Sequence, residues 1–190
     1  SRSVAVGYNA LVTQNFSTAT NSLNVAVGYS SGAAVTTGIR NTLIGSEAGS
    51  SITDADNNVA IGTDALSTNV LGSGNIAVGR LALGTMNPAT AANTYNTAVG
   101  ADAGYAITTG TQNTIMGGLA GDALTTGGYN VALGYGALTT DDVGSKSVAI
   151  GHTALANQNF STTTDSFNTA VGHRAGSAIT TGVSNTLIVG

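Results

Sequence analysis

The feature that most constrains this chain is a spacing. A five-residue motif recurs: Asn or Ser, a β-branched residue, Ala, Leu or Ile, a large aliphatic or Met, then Gly. It ends at Gly7, Gly28, Gly45, Gly62, Gly79, Gly100, Gly117, Gly134, Gly151 and Gly172, and an eleventh copy ends at Val189. Successive copies lie 21, 17, 17, 17, 21, 17, 17, 17, 21 and 17 residues apart, so the pattern itself recurs every 72 residues. "NTLIG" at 41–45, "NTIMG" at 113–117 and "NTLIV" at 185–189 mark that longer period. Repetition at such an interval means stacked rungs, each touching only its neighbours. The chain reads as one β-solenoid segment, residues 1–190, with cycles at 7–78 and 79–150 and a partial cycle at 151–190. Residues 1–46 and 145–190 share 27 identities, and no polar capping repeat closes either end. This predicts a slice of a longer array.

Within a rung, β-branched and aliphatic residues closed by glycine predict a short strand. The Asn at strand entry suits a left-handed backbone or an Asx-turn, and stacked amides can form a ladder. Three residues after the glycine stands Ala in all rungs but one, where it is Ser31. The next position is Leu or Gly. Where it is Gly (Gly32, Gly49, Gly104, Gly121, Gly176), an aliphatic follows three residues on (Val35, Ile52, Ile107, Leu124, Ile179). Where it is Leu, that place holds Gln14, Asn69, Met86, Asp141 or Gln158. One large apolar group per rung is what constant core volume requires. The expected fold is all-β: a parallel, two-faced β-roll with two short strands and two turns per rung. A triangular helix of hexapeptides needs an aliphatic every sixth residue. Stepping from Ile44 reaches Ser50 and Asp56 instead.

The motif strand is apolar on both faces, as in strands buried on both sides. We expect the second-to-last position to need cover from other copies of the chain. The candidate interface is therefore Leu43, Ile115 and Leu187 with Ala26, Ala60, Ala98, Ala132 and Ala170, packed in a homo-oligomer, most simply a trimer. Every fourth rung carries four extra residues, at 12–23, 84–95 and 156–167. These gather Phe16, Met86, Tyr95, Phe160 and Phe167, and the only proline, Pro88. Two readings stand: the aromatics form a row of surface-contact knobs for a host glycan or protein, or they fold back to seal the roll or the interface.

Composition narrows function. Charged residues are 7% of the chain, against about 25% in an ordinary domain. The net charge is −4, and Arg2, Arg40, Arg80, Lys146 and Arg174 are scattered, so nucleic acid is not an expected partner. No apolar run approaches the roughly 20 residues of a membrane span, so no membrane insertion is expected. The chain has no cysteine. His152 and His173 share a column with Tyr8, Tyr29, Ser46, Thr63, Arg80, Ala101, Gly118 and Tyr135, which reads as a solvated surface rather than a metal site. Asp141 and Asp142 form a turn pair, and no carboxylate pair suited to acid–base work is seen. The glycine pairs are rung turns, since no helix follows them. No enzyme, cofactor or metal is expected. Asn15 and Asn159 lie in glycosylation sequons that matter only in a glycosylating host.

"SVAIG" at 147–151, "SVAVG" at 3–7 and "NVAIG" at 58–62 resemble head repeats of trimeric autotransporter adhesins. "NTAVGADAGYAITTGTQNTIMGGLAG" at 96–121 resembles repeats of bacteriophage tail-fibre proteins, which often end in a self-cleaving intramolecular chaperone domain. Adhesin head rungs are shorter and lack the 21-residue rung, and no chaperone domain lies in these residues. The resemblance implies a trimeric parallel β-solenoid shaft on an extracellular or virion-surface fibre. A structural shaft is the leading functional expectation, and an adhesin or receptor-binding module using the long-rung loops is the alternative. Ice binding through the "TTG" columns at 36–38, 108–110, 125–127 and 180–182 comes third. "ITD" at 52–54 and "TTD" at 139–141 break that column.

Overall fold

The computed structural model describes residues 2–189. Its strands are β1 (Val4–Val6), β2 (Val25–Val27), β3 (Thr42–Ile44), β4 (Val59–Ile61), β5 (Gly72–Ser73), β6 (Ile76–Val78), β7 (Ala92–Asn93) and β8 (Thr97–Val99). They continue with β9 (Thr114–Met116), β10 (Val131–Leu133), β11 (Gly144–Ser145), β12 (Val148–Ile150), β13 (Thr164–Asp165), β14 (Thr169–Val171) and β15 (Thr186–Ile188). The eleven motif strands form one parallel sheet in chain order, β1-β2-β3-β4-β6-β8-β9-β10-β12-β14-β15. The register steps by a whole rung, Val4 pairing with Val25 and Val25 with Thr42. The described residues contain no helix. The protein is a parallel β-solenoid of about eleven turns. At about 4.8 Å per strand its sheet is roughly 50 Å long.

The expected second strand of each rung is not there. The side opposite the sheet is built of turns, with strand pairs only at β5–β7 and β11–β13. The cause is backbone conformation. The second and fourth residues after the motif glycine take left-handed φ, as in Asn9 (57°), Leu11 (50°), Glu47 (57°) and Gly49 (56°). Two such residues turn a corner instead of extending. Rung-to-rung bonding continues through the corner: Leu11 N–H donates to the Ser31 carbonyl at 3.1 Å and Gly49 N–H to Ala65 at 2.9 Å.

The motif glycine is required twice over. At Gly28 φ is 135°, and a Cβ there would lie 2.5 Å from the Gly45 carbonyl oxygen. The Asn column clamps in two directions. Asn24 Nδ2 donates to the Gly38 carbonyl at 2.8 Å, closing its own rung, while its Oδ1 accepts from Asn41 N–H of the next rung at 2.9 Å. Asn41, Asn58, Asn96, Asn113 and Asn130 carry the same double contact forward. The left-handed residue is not the Asn but the one before it: Leu23, Arg40, Asn57, Tyr95, Gln112 and Tyr129 all have positive φ. Among the described residues no buried side-chain polar atom lacks a partner.

The core inverts one expectation. Ala26, Leu43, Ala60, Ala98, Ile115, Ala132 and Ala170 are 0% exposed within a single chain. They line the solenoid's own interior and are not an interface. Leu187, in the last rung, is half-buried. In a three-residue strand the middle side chain faces opposite to its two neighbours, and here it is the middle one that points inward. The wide "NTLIG" strand has its answer across the core. A Cβ on Gly32 or Gly49 would fall 2.7 Å from a Leu43 methyl, and Ile115 sits likewise between Gly104 and Gly121. The Gly-or-Leu alternation is thus volume compensation, with Val35, Ile52, Leu66, Leu83, Ile107, Leu124, Leu138 and Leu155 completing the filling.

Candidate functional site

With the middle column inside, the two flanking columns face out. One runs Val4, Val25, Thr42, Val59, Ile76, Thr97, Thr114, Val131, Val148, Thr169, Thr186. The other runs Val6, Val27, Ile44, Ile61, Val78, Val99, Met116, Leu133, Ile150, Val171, Ile188. All are half-buried or exposed; Ile44 is 37%, Ile76 41% and Met116 49% exposed. The sheet therefore carries a strip along its length whose exit-side column is aliphatic or Met throughout and whose entry-side column mixes Val and Ile with Thr42, Thr97, Thr114, Thr169 and Thr186. A strip three residues wide and eleven strands long is roughly 10 Å by 48 Å, or roughly 500 Å². That is at the upper end of the largest patches on monomeric proteins.

Two further columns border the strip. On the strand-entry side lie Leu23, Arg40, Tyr95, Gln112, Tyr129, Lys146 and Phe167, with Tyr95 packed over Gly74 and Lys146 Nζ 5.2 Å from the centre of the Phe167 ring. On the exit side the first residues after the motif glycines stack: Tyr8 on Tyr29 at 5.6 Å, Tyr135 on His152 at 5.6 Å and His152 on His173 at 5.2 Å. Aromatic and Arg residues bordering an apolar centre are the composition of protein interfaces.

The long-rung residues divide. Met86 is 0% exposed and Phe160 6%, so both are core and not surface contacts. Tyr95 and Phe167 are more than half exposed, and Phe16 is intermediate. Beneath these rungs lies a buried polar cluster. Gln158 Nε2 donates to Asp141 Oδ2 at 2.6 Å and to Ser147 Oγ at 2.7 Å, and Asn168 Nδ2 donates to Gln158 Oε1 at 2.7 Å. Burial raises the Asp141 carboxyl above its ordinary range, against the lowering effect of the Gln158 amide and the Gly144 and Phe160 N–H groups. Asp142, beside it, also raises it. Of the "TTG" threonines, Thr36, Thr37, Thr108 and Thr125 bond into the coil through their hydroxyls: Thr37 and Thr36 donate to Asp54 at 2.7 and 2.9 Å and hold its carboxyl low. Thr108 donates to the Thr125 carbonyl.

Among the described residues no cluster of three or more His, Cys, Asp or Glu could hold a metal ion. Comparison with family models, curated proteins and solved structures found no match to the chain. From the sequence these flanking columns read as the roll's own interior, the middle column being the one expected to need cover from other copies.

Proposed function

We propose that the chain is a structural shaft segment of an extended extracellular or virion-surface fibre, assembled as a homotrimer and carrying no catalysis. The observation that supports this is the outward strip of the eleven-strand sheet. With the column on its strand-entry side it offers roughly 800 Å², the size per partner of a standard interface, and leaves the exit-side column outside it. A partner must match a surface that repeats at about 4.8 Å along a rod, and a second copy of the chain has that repeat by construction. The placement on a fibre follows the resemblance of the repeats at 96–121 and 147–151.

The test is light scattering with substitutions at paired outward positions of two neighbouring strands. The chain of 18.5 kDa should run at three times its mass. Ile44→Glu with Ile61→Glu should give a monomer that keeps its β circular dichroism, since both side chains point outward. A wild-type chain that stays monomeric at high micromolar concentration would overturn the assembly.

A further inference from the structure

The same turn of the coil occurs three times, 72 residues apart, with different contents. In the middle copy the turn is closed. Arg80 and Asp102 form an ion pair at 2.5 Å, and the Tyr105 ring lies over Gly84, where a Cβ would come within 3.1 Å of it. In the next copy the corresponding residues are His152 for Arg80, Arg174 for Asp102, Ser177 for Tyr105, Thr153 for Leu81 and His173 for Ala101. The acid has become an Arg and the filling ring a serine. The result is a cavity of about 380 Å³ lined by His152, Thr153, Ala156, Asn157, His173, Arg174 and Ser177.

Its frame is fixed by backbone bonds, Arg174 N–H to the His152 carbonyl at 2.9 Å and Ser177 N–H to Arg174 at 3.0 Å. Asn157 Nδ2 donates to the Ser177 carbonyl at 2.7 Å, and His152 Nδ1 lies 3.2 Å from the Thr153 hydroxyl. No carboxylate lines the cavity, and among the described residues the only ion pairs are Arg80–Asp102 and Lys146–Asp165. Arg174 is therefore an unneutralised cation beside two imidazoles.

We propose that this cavity binds an acidic sugar unit. Arg174, with His173 and His152, would receive its carboxylate or sulfate, since guanidinium pairs oxyanions in a two-pronged fork. The hydroxyls of Thr153 and Ser177 and the Asn157 amide would meet ring hydroxyls. Ala156 is the only apolar residue of the lining, though the stems of the others add apolar surface that suits the carbon face of a sugar ring, and a cavity of this size takes one or two sugar units. The net charge of −4 works against a long polyanion such as a DNA duplex.

The chain should be titrated with a glucuronate oligosaccharide, a sulfated dextran oligomer and plain dextran of equal length. One or both acidic oligomers should bind saturably, more weakly as salt rises, and dextran should not; which acid binds identifies the anion. His152→Arg with Arg174→Asp rebuilds the ion pair that the middle copy already accommodates, Asp102 holding the same left-handed φ as Arg174 (58° and 56°). It should weaken binding at least tenfold with unchanged thermal melting. Asp102→Arg with Tyr105→Ser should add a second site. Equal binding of dextran, preference for a DNA duplex, an unaffected His152→Arg/Arg174→Asp variant, or no saturable binding would each overturn the assignment.

Discussion

Two long rungs of this solenoid solve one problem in different ways. Each must fill the core where Leu takes the place of Gly and no aliphatic follows. At the first, Met86 is fully buried, Asn69 satisfies itself on Gly72 (Nδ2 to carbonyl 2.7 Å, Oδ1 from N–H 2.8 Å), and Asn75 continues the Asn ladder. At the second, 72 residues on, Asp141 replaces Asn69, Ser147 replaces Asn75 and Gln158 replaces Met86. Ser147 is too short to clamp the next rung, and Gln158 takes over, joining Asp141, Ser147 and Asn168. Gln14 does the same beside Ser3, accepting from its hydroxyl and from Asn24 Nδ2. A gap in the ladder goes with Gln in the long rung, and an intact ladder goes with Met. The exchange works as a set, because a buried amide or carboxylate without its partner is far costlier than a buried thioether.

Breaking the set should have the largest effect. Gln158→Met leaves a buried carboxylate, the Ser147 hydroxyl and the Asn168 amide short of a partner, and should cost about 3 kcal/mol by urea unfolding. Adding Asp141→Asn and Ser147→Asn, which recreates the first rung's contents, should recover most of it. If Gln158→Met alone proves neutral, or the triple variant is no better than the single, the two rungs are not alternative sets.

The reciprocal exchange sharpens the comparison from the other side. Met86→Gln puts an amide into a core whose Asn69 is already satisfied by Gly72. The new donor finds no acid, so the cost should be about 2 kcal/mol, less than for Gln158→Met because no charge is stranded. Adding Asn69→Asp and Asn75→Ser should reduce it. Amide exchange at Leu83, whose N–H donates to Ala103 of the next rung, and at Leu66, whose N–H reaches Ala82 from the rung before, reads the loss locally.

Spacing made the coil, its parallel order and its volume compensation legible before any coordinates. The pattern of Leu and Gly is a packing ledger, and packing is enforced at every rung. Which strand face points inward was not legible. A column of Ala next to a column of Val reads, on hydrophobicity alone, as the less buried of the two. The interior here is thin, so it selects for small side chains, and Ala60 goes in while Val59 and Ile61 stay out. The missing second strand was hidden for a related reason, since Leu11, Leu66 and Leu83 adopt left-handed φ without the glycine that announces it. The link between Ser147 and Gln158 was present as paired exceptions. It became meaningful only once the coil had brought residues eleven apart within 2.7 Å. The cavity at His152 and Arg174 depends on what the turn lacks, a ring and an acid, and that shows only against the filled copy at Tyr105 and Asp102.

The smallest effect expected from the two rungs is a difference in pH response, and its sign follows from Asp141. Burial raises this carboxyl in the folded chain above the 3.8 of its ordinary state. Between 3.8 and the raised value the folded form holds the proton and the unfolded form does not. Stability therefore falls as pH rises through that window, and the favourable contribution is fully present only below 3.8. Asn69, its counterpart, does not titrate. Comparing wild type with Asp141→Asn removes the other carboxylates from view. The difference in urea midpoint between them should move in favour of wild type as pH is lowered from neutrality towards 4, and should be flat well above the window. A difference that moves the opposite way would mean that the bonds from Gln158 and the Gly144 and Phe160 N–H groups outweigh burial. The second long rung would then hold its carboxylate more comfortably than the first holds its amide.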